Sequence, residues 1–363
     1  MSGGRTARRA PGTSYAVLLA MLAAASCAPD VVIGYAALHA DGGLDAGGDA
    51  DVDADLPLPD VTWMSGGHPG NDLAVYLEFG DWRGRPLALA HVFPDRASWD
   101  GVVTPAWPVD MFEPFDGLLV LSLPPYPAAL GTNLDCAMGD YNDEWAQLGT
   151  FLNERGRPDT ILRLGWGPND LAHEWHVASN ADGTPNQTDL QNWLDCFRNV
   201  VTAVRSTAPQ VRIDWTFNSI GPSRIATFDP YVTYPGDEYV DFVGIEVFDM
   251  YPPTRTDADW DAACNAPTGL CTLFDFARAH RKQVGIAEWA VIGCDFGDGP
   301  NDNVGGDNPF FVEKVFETFA ANADALAYEA YFEDGGDEVC SAIDEDGSNS
   351  NSAAKYKELF GGR

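Results

Sequence analysis

The sequence predicts a (β/α)8 TIM barrel of the α/β class. Three observations carry this. Short apolar runs of strand length alternate with helical stretches from residue 73 to 332, as strands and crossover helices do in a parallel sheet. Eight such runs can be picked out, the number that closes a barrel. No glycine-rich phosphate loop of the GxGxxG or GxxxxGKS/T kind is present, which puts the open, doubly wound sheet second.

Residues 73–79 (LAVYLEF) read as the first strand and 86–93 (PLALAHVF) as the second. Residues 118–122 (LLVLS) form a near-continuous apolar run, as expected of a strand buried on both faces. A helical stretch over 144–153 leads to strand four at 160–166. A longer helix is predicted over 188–206, because Leu190, Trp193, Leu194, Phe197, Val200 and Val201 recur at three- and four-residue spacing. Strands five and six fall at 211–217 and 239–248. A helix over 273–282 precedes strand seven at 284–289. Residues 309–321 read as a helix opened by Pro309, 325–332 as strand eight and 353–360 as a last short helix.

The chain has 363 residues, 45% of them hydrophobic, which suits one barrel of about 250 residues plus a leader. Its net charge of −34 repels nucleic acid and anionic headgroups, so the expected partner is neutral, such as a polysaccharide, and a monomer is expected. Residues 1–27 read as a signal peptide: Arg5, Arg8 and Arg9 precede an apolar run over 15–25 that is too short to span a bilayer. Ala24-Ala25-Ser26-Cys27 resembles a bacterial lipobox, which would make Cys27 a lipidated first residue and anchor an exported protein at the cell envelope. An ordinary secretory signal cut near Ser26 is the alternative. Residues 28–60 are Asp/Ala/Gly-rich and read as an extended tether, with the folded domain over 61–363.

Beyond Cys27, six cysteines remain, an even number that suits disulfides in an exported chain. Six allow fifteen pairings. Cys264 with Cys271 is the easiest, closing a short Pro/Gly loop. Cys136–Cys196 and Cys294–Cys340 would then remain. No CxxC pair is present, His173 and His176 are not part of HExxH, and no metal or cofactor is expected. No GxSxG elbow suggests a serine hydrolase.

Two stretches carry the chemistry. Residues 161–175 (ILRLGWGPNDLAHEW) read as a strand emptying into a loop, and Glu288 in VGIAEWAV sits at the end of another apolar strand. A carboxylate there points into a barrel mouth. Arg163, Leu164, Gly165, Trp166, Asn169 and Trp175 resemble the fourth-strand motif of glycoside hydrolase family 26, R-L-G-W-E-x-N-G followed by a Trp-rich loop. Glu288 and Trp289 resemble that family's I-x-E-W on strand seven, and residues 305–310 (GGDNPF) a segment that follows it. The resemblance spans residues 73–332. It implies a retaining β-glycan hydrolase, of which β-mannanases are the best-known kind, with Glu288 as nucleophile.

Two positions depart from the pattern. Gly167 stands where the family carries its acid/base glutamate, and Phe248 where strand six carries a tyrosine. Retention needs a second carboxyl about 5–5.5 Å from the nucleophile. Glu174 is the first candidate for acid/base, with Glu246 and Asp249 on strand six as others. Trp166, Trp175, Trp215, Trp289, Tyr331 and Phe332 gather at strand ends, where flat rings suit sugar faces or pack under loops. Asn169 and Asn218 are candidates to bind sugar hydroxyls, or turn residues. Two functions therefore stand open: a glycosidase with a relocated acid, and a non-catalytic polysaccharide-binding pseudoenzyme.

Overall fold

The computed structural model describes residues 60–177, 180, 184–219, 228–294, 303–335, 339–344 and 347–362. Residues 1–59, where the sequence predicts a signal peptide with Cys27 and most of a tether, lie outside the described residues.

The barrel opens with β1 (Met64–His68), followed by α1 (Leu73–Arg83) and β2 (Leu89–Val92). The apolar run at 73–79 is therefore helix, not the first strand. Asp72 accepts from the Ala74 amide at its start, and Tyr76, Phe79, Gly80 and Arg83 recur at helical spacing on one buried face. The true first strand, MSGGH, holds too few large apolar residues to register as one. Its glycines have a use. A Cβ on Gly66 would lie 2.4 Å from the Leu89 carbonyl oxygen, so only glycine lets β1 and β2 meet there.

Two short helices, α2 (Trp99–Val103) and α3 (Ala106–Met111), lead to β3 (Leu118–Leu123). Then come α4 (Asn133–Met138), α5 (Asn142–Glu154), β4 (Ile161–Leu164), α6 (Gln187–Thr207) and β5 (Arg212–Asn218). The second half runs through β6 (Phe242–Phe248), α7 (Asp257–Cys264), α8 (Leu270–His280), β7 (Gln283–Ala290), α9 (Pro309–Ala321), β8 (Leu326–Phe332) and α10 (Ser350–Phe360). Each strand pairs in parallel with its successor, and β8 returns to β1 over five residue pairs, so the sheet is a closed barrel. No helix among the described residues is long and apolar enough to cross a membrane.

The core has two layers. Inside the barrel, Leu89, Val120, Ile161, Phe242, Ala287 and Tyr328 pack together. A larger layer lies between the barrel and the helices and includes Trp145, Trp193, Phe197, Trp215, Trp289, Phe319 and Tyr356.

Three disulfides join Cys136 to Cys196, Cys264 to Cys271 and Cys294 to Cys340, the set left by the easiest pairing. Cys136–Cys196 ties α4 to α6 across a sequence separation of 60, whereas Cys264–Cys271 spans 7. Loop-closure entropy makes the longer one worth up to about 4 kcal/mol and the shorter about 2.5. Serine at positions 136 and 196 together is therefore expected to lower the thermal midpoint more than serine at 264 and 271, as read by calorimetry.

Candidate active site

Glu288 faces inward because β7 is irregular. Along β7, Ile286 belongs to the outer core layer, Ala287 to the interior and Trp289 to the outer layer again. Strict alternation would send Glu288 outward with Ile286. Against β6, however, Gly285 pairs with Gly244 and Glu288 with Glu246, so three steps on one strand match two on the other. This bulge turns two successive side chains, Ala287 and Glu288, toward the interior.

Arg163 awaits them. It lies on β4, in register with Ser122 of β3 and Asp214 of β5, and is wholly buried. Its Nη1 donates to Glu288 Oε1 and, at 3.1 Å, to Ser122 Oγ. Its Nη2 donates to Glu246 Oε1 at 2.6 Å. One planar guanidinium thus holds two carboxyls from adjacent strands, the geometry arginine favours over lysine. Ser122 Oγ also meets His91 Nε2 at 2.7 Å, so the clamp is braced from β2. Burial opposes charge on Arg163, but the Glu288, Glu246 and Asp214 charges outweigh it and hold its pKa above the ordinary value. Burial raises the Glu246 carboxyl, the Glu288 charge beside it raises it further, and Arg163 opposes both. One layer down, burial pushes Asp214 up to about 6, while hydroxyls of Tyr328 and Thr216 donate to it.

Above this floor stands a rim of partly buried rings. His68 ends β1, Phe93 follows β2, and Phe248 and Phe332 end β6 and β8. His68 stacks on Phe332 with centroids 5.0 Å apart and meets Phe93 edge-on at 5.0 Å. Phe248 meets Phe332 edge-on at 6.0 Å. Trp166 lies deeper, 4% exposed, with Arg96 over its ring and Arg163 behind it.

Several sequence-predicted residues belong elsewhere. Trp215, Trp289 and Tyr331 are not at the mouth: strand alternation turns Trp215 and Tyr331, and the β7 bulge turns Trp289, outward into the layer beneath the helices. Trp215 packs on Tyr231, Tyr234 and Phe276. Trp289 packs on Phe319 and Phe360 and donates to Glu329 at 2.6 Å. Tyr331 packs on Tyr356 and donates to the Ser341 carbonyl at 2.7 Å. All three are fully buried, so no sugar can reach them. Trp175 is buried too, its Nε1 on the Trp166 carbonyl at 2.8 Å and its face covered by His173 at 4.5 Å. Asn169 spends its amide on the Asn218 backbone, at 2.7 and 2.9 Å, fixing the β4 loop to the end of β5. Asn218 directs its own Nδ2 to Asp170 Oδ2 at 3.1 Å. Glu174 is exposed, and no hydrogen bond or ion pair joins it to Arg163, Glu246 or Glu288. The carboxyl set beside Glu288 is that of Glu246. Asp249 is committed to the Thr254 amide and to Asn308.

Gly167 has a left-handed φ of 60°. A Cβ there would lie 3.0 Å from His173 Cδ2 and 3.2 Å from Nε2, so His173 fills the space that a side chain at 167 would enter. Gly167→Glu is therefore expected to lower stability by about 1–2 kcal/mol from backbone conformation alone. Adding His173→Ala should relieve only the contact. Thermal unfolding of the single and double variants checks this.

No protein-family model and no curated protein matches the sequence. Solved structures do match. The catalytic domain of a glycoside hydrolase family 26 endo-β-1,4-mannanase from Bacillus sp. JAMB-750 aligns over 82% of this chain and 85% of its own, with a TM-score of 0.56 at 14% identity. What is shared is the fold. The YdhT protein from Bacillus subtilis aligns over the same shares, with a TM-score of 0.53 and 14% identity. Within this barrel fold, the Arg163 clamp occupies the C-terminal end of the strands, where barrel enzymes carry their chemistry. His68, Phe93, His91 and Ser122 were not singled out from sequence. Strand alternation would have put His68 and His91 on inward positions once β1 and β2 were correctly placed, and Ser122 on an inward position of β3; Phe93 lies just past the end of β2.

Proposed function

We propose that this chain is an exported glycoside hydrolase of the family 26 type, cleaving a neutral β-linked polysaccharide such as mannan with retention and with an atypical acid/base. The observation that carries this is the single guanidinium of Arg163 holding Glu288 and Glu246 at the barrel mouth. Ionised Glu288 attacks the anomeric carbon, and the bond to the leaving oxygen breaks as that oxygen takes a proton. Water then releases the sugar from Glu288, giving its proton to the group that served as acid. Glu246 suits that group better than Glu174, because it adjoins Glu288 and burial with a neighbouring charge favours its protonated form. The fold likeness to a mannanase supports the substrate class. A cleaved signal with lipid on Cys27 supplies the address, and the acidic tether would hold the barrel clear of the envelope as a monomer.

Glu246→Gln is expected to cut kcat/KM on a natural β-mannan about 10²–10⁴-fold. It should also remove an alkaline limb from the pH profile. The sign follows from the raised Glu246 value: the acid is present below it and is lost as pH rises through it. Aryl mannosides with good leaving groups, which need no proton, should be affected less.

One observation favours the second reading, a binding protein that has lost turnover: at 167 the acid/base side chain is absent, and His173 fills its place. Steady-state hydrolysis of an aryl β-mannoside panel separates the two. Turnover dependent on Glu288 supports the enzyme. Saturable binding of manno-oligosaccharides without turnover supports the pseudoenzyme.

A further inference from the structure

His68 is not part of the Arg163 clamp, yet it is built as carefully. Its Nδ1 lies 2.8 Å from the His91 carbonyl oxygen. A carbonyl only accepts, so Nδ1 carries the hydrogen, and in the neutral ring Nε2 carries a lone pair. The Tyr76 hydroxyl donates to the same carbonyl and lies 3.3 Å from Nδ1, which fixes the arrangement from α1. The ring is held on Phe332 and against Phe93. Among the described residues Nε2 has no hydrogen-bond partner, and it is not sealed from solvent. The charged and titratable groups around His68 are Glu288 of β7, Asp334 after β8, Arg163 of β4, His91 of β2 and Tyr76 of α1. An oriented acceptor thus opens on the same mouth as Glu288.

We propose that His68 is a recognition residue, its Nε2 accepting a hydrogen bond from a hydroxyl of the sugar unit seated over Glu288. This rests on the glycan reading above and narrows it. The ligand at this point is an uncharged, hydroxylated sugar with a donor facing β1. A carboxylate-bearing sugar is disfavoured there, since a lone pair and the nearby charges of Glu288 and Asp334 repel it. Burial lowers the His68 pKa against the pull of those two carboxylates, which keeps the acceptor form at neutral pH.

The test uses the full chain carrying Glu288→Gln, so that ligand is bound without turnover, and mannotetraose as the probe. His68→Phe keeps the ring packing and removes both nitrogens. It is expected to weaken binding about 5- to 10-fold, the span of one hydrogen bond. His68→Gln keeps an acceptor and should recover part of the loss. Nitrogen-detected NMR of the imidazole gives a readout that needs no variant: Nδ1 should be the protonated nitrogen, and the Nε2 resonance should move on titration with mannotetraose. Wild-type-like affinity in His68→Phe, or an Nε2 signal unmoved while the sugar binds, would overturn the proposal. A chain that binds neither mannotetraose nor other neutral β-oligosaccharides with His68 intact would overturn the glycan reading and this one with it.

Discussion

Glu288→Ala is expected to reduce hydrolysis of an activated aryl β-mannoside by about 10³-fold or more, the scale on which removal of a nucleophile acts. The argument is structural as well as chemical. Glu288 turns inward only because β7 bulges against β6, and its carboxyl lands on the guanidinium of Arg163. Glu288 is 8% exposed, so it retains an opening to the mouth while the barrel excludes bulk water. Azide added to Glu288→Ala should restore part of the turnover and give the product of inverted configuration, because a small anion can occupy the vacated space. Azide added to Glu246→Gln should instead give a retained product, since there it takes the place of the base. Unchanged turnover in Glu288→Ala would mean that the clamp is not the reacting centre.

Arg163→Met is expected to be the most destabilising single change in the barrel interior. Arg163 is wholly buried and pairs with two carboxyls that are themselves nearly so. Removing it leaves both unpaired, and breaking a buried pair in this way costs about 3–5 kcal/mol. The loss should depend on pH. Arg163 is what opposes the upward push on Glu246, so the variant raises that carboxyl further. A group raised above its unfolded value stabilises the fold fully below the unfolded value, and that contribution fades as pH rises through the folded one. Relative to the parent, the variant should therefore lose little in mild acid and most at neutral pH and above. Urea unfolding at several pH values measures this. A small loss that does not vary with pH would contradict the account of a charged clamp.

The barrel was legible in the sequence because buried parallel strands are apolar runs and α6 shows its spacing plainly. β1 was not, because its length is set by pairing with β8 and its Gly66 by close approach to β2, neither of which leaves an apolar pattern. The run at 73–79 took its place because Val75 and Leu77 are apolar yet lie off the buried face. The site divides similarly. Glu288 announced itself as a carboxylate in an apolar strand. Trp215, Trp289 and Tyr331 misled, because inward and outward differ by one residue and both faces of a barrel strand are apolar. Glu246 as partner to Glu288, and His68 at the rim, come from register and closure. The clamp itself joins Arg163 to Glu246 across 83 positions and to Glu288 across 125, separations that no local pattern records.

The most direct test of the central claim is to incubate the full chain with 2-deoxy-2-fluoro-β-mannosyl fluoride, whose activated leaving group needs no acid and whose fluorine slows release. Digestion and mass spectrometry then locate any adduct. A glycosyl ester on Glu288, formed with loss of fluoride and absent in Glu288→Gln, is the result the Arg163 clamp predicts. An adduct on another carboxylate would contradict it, as would no adduct from a chain that binds the sugar.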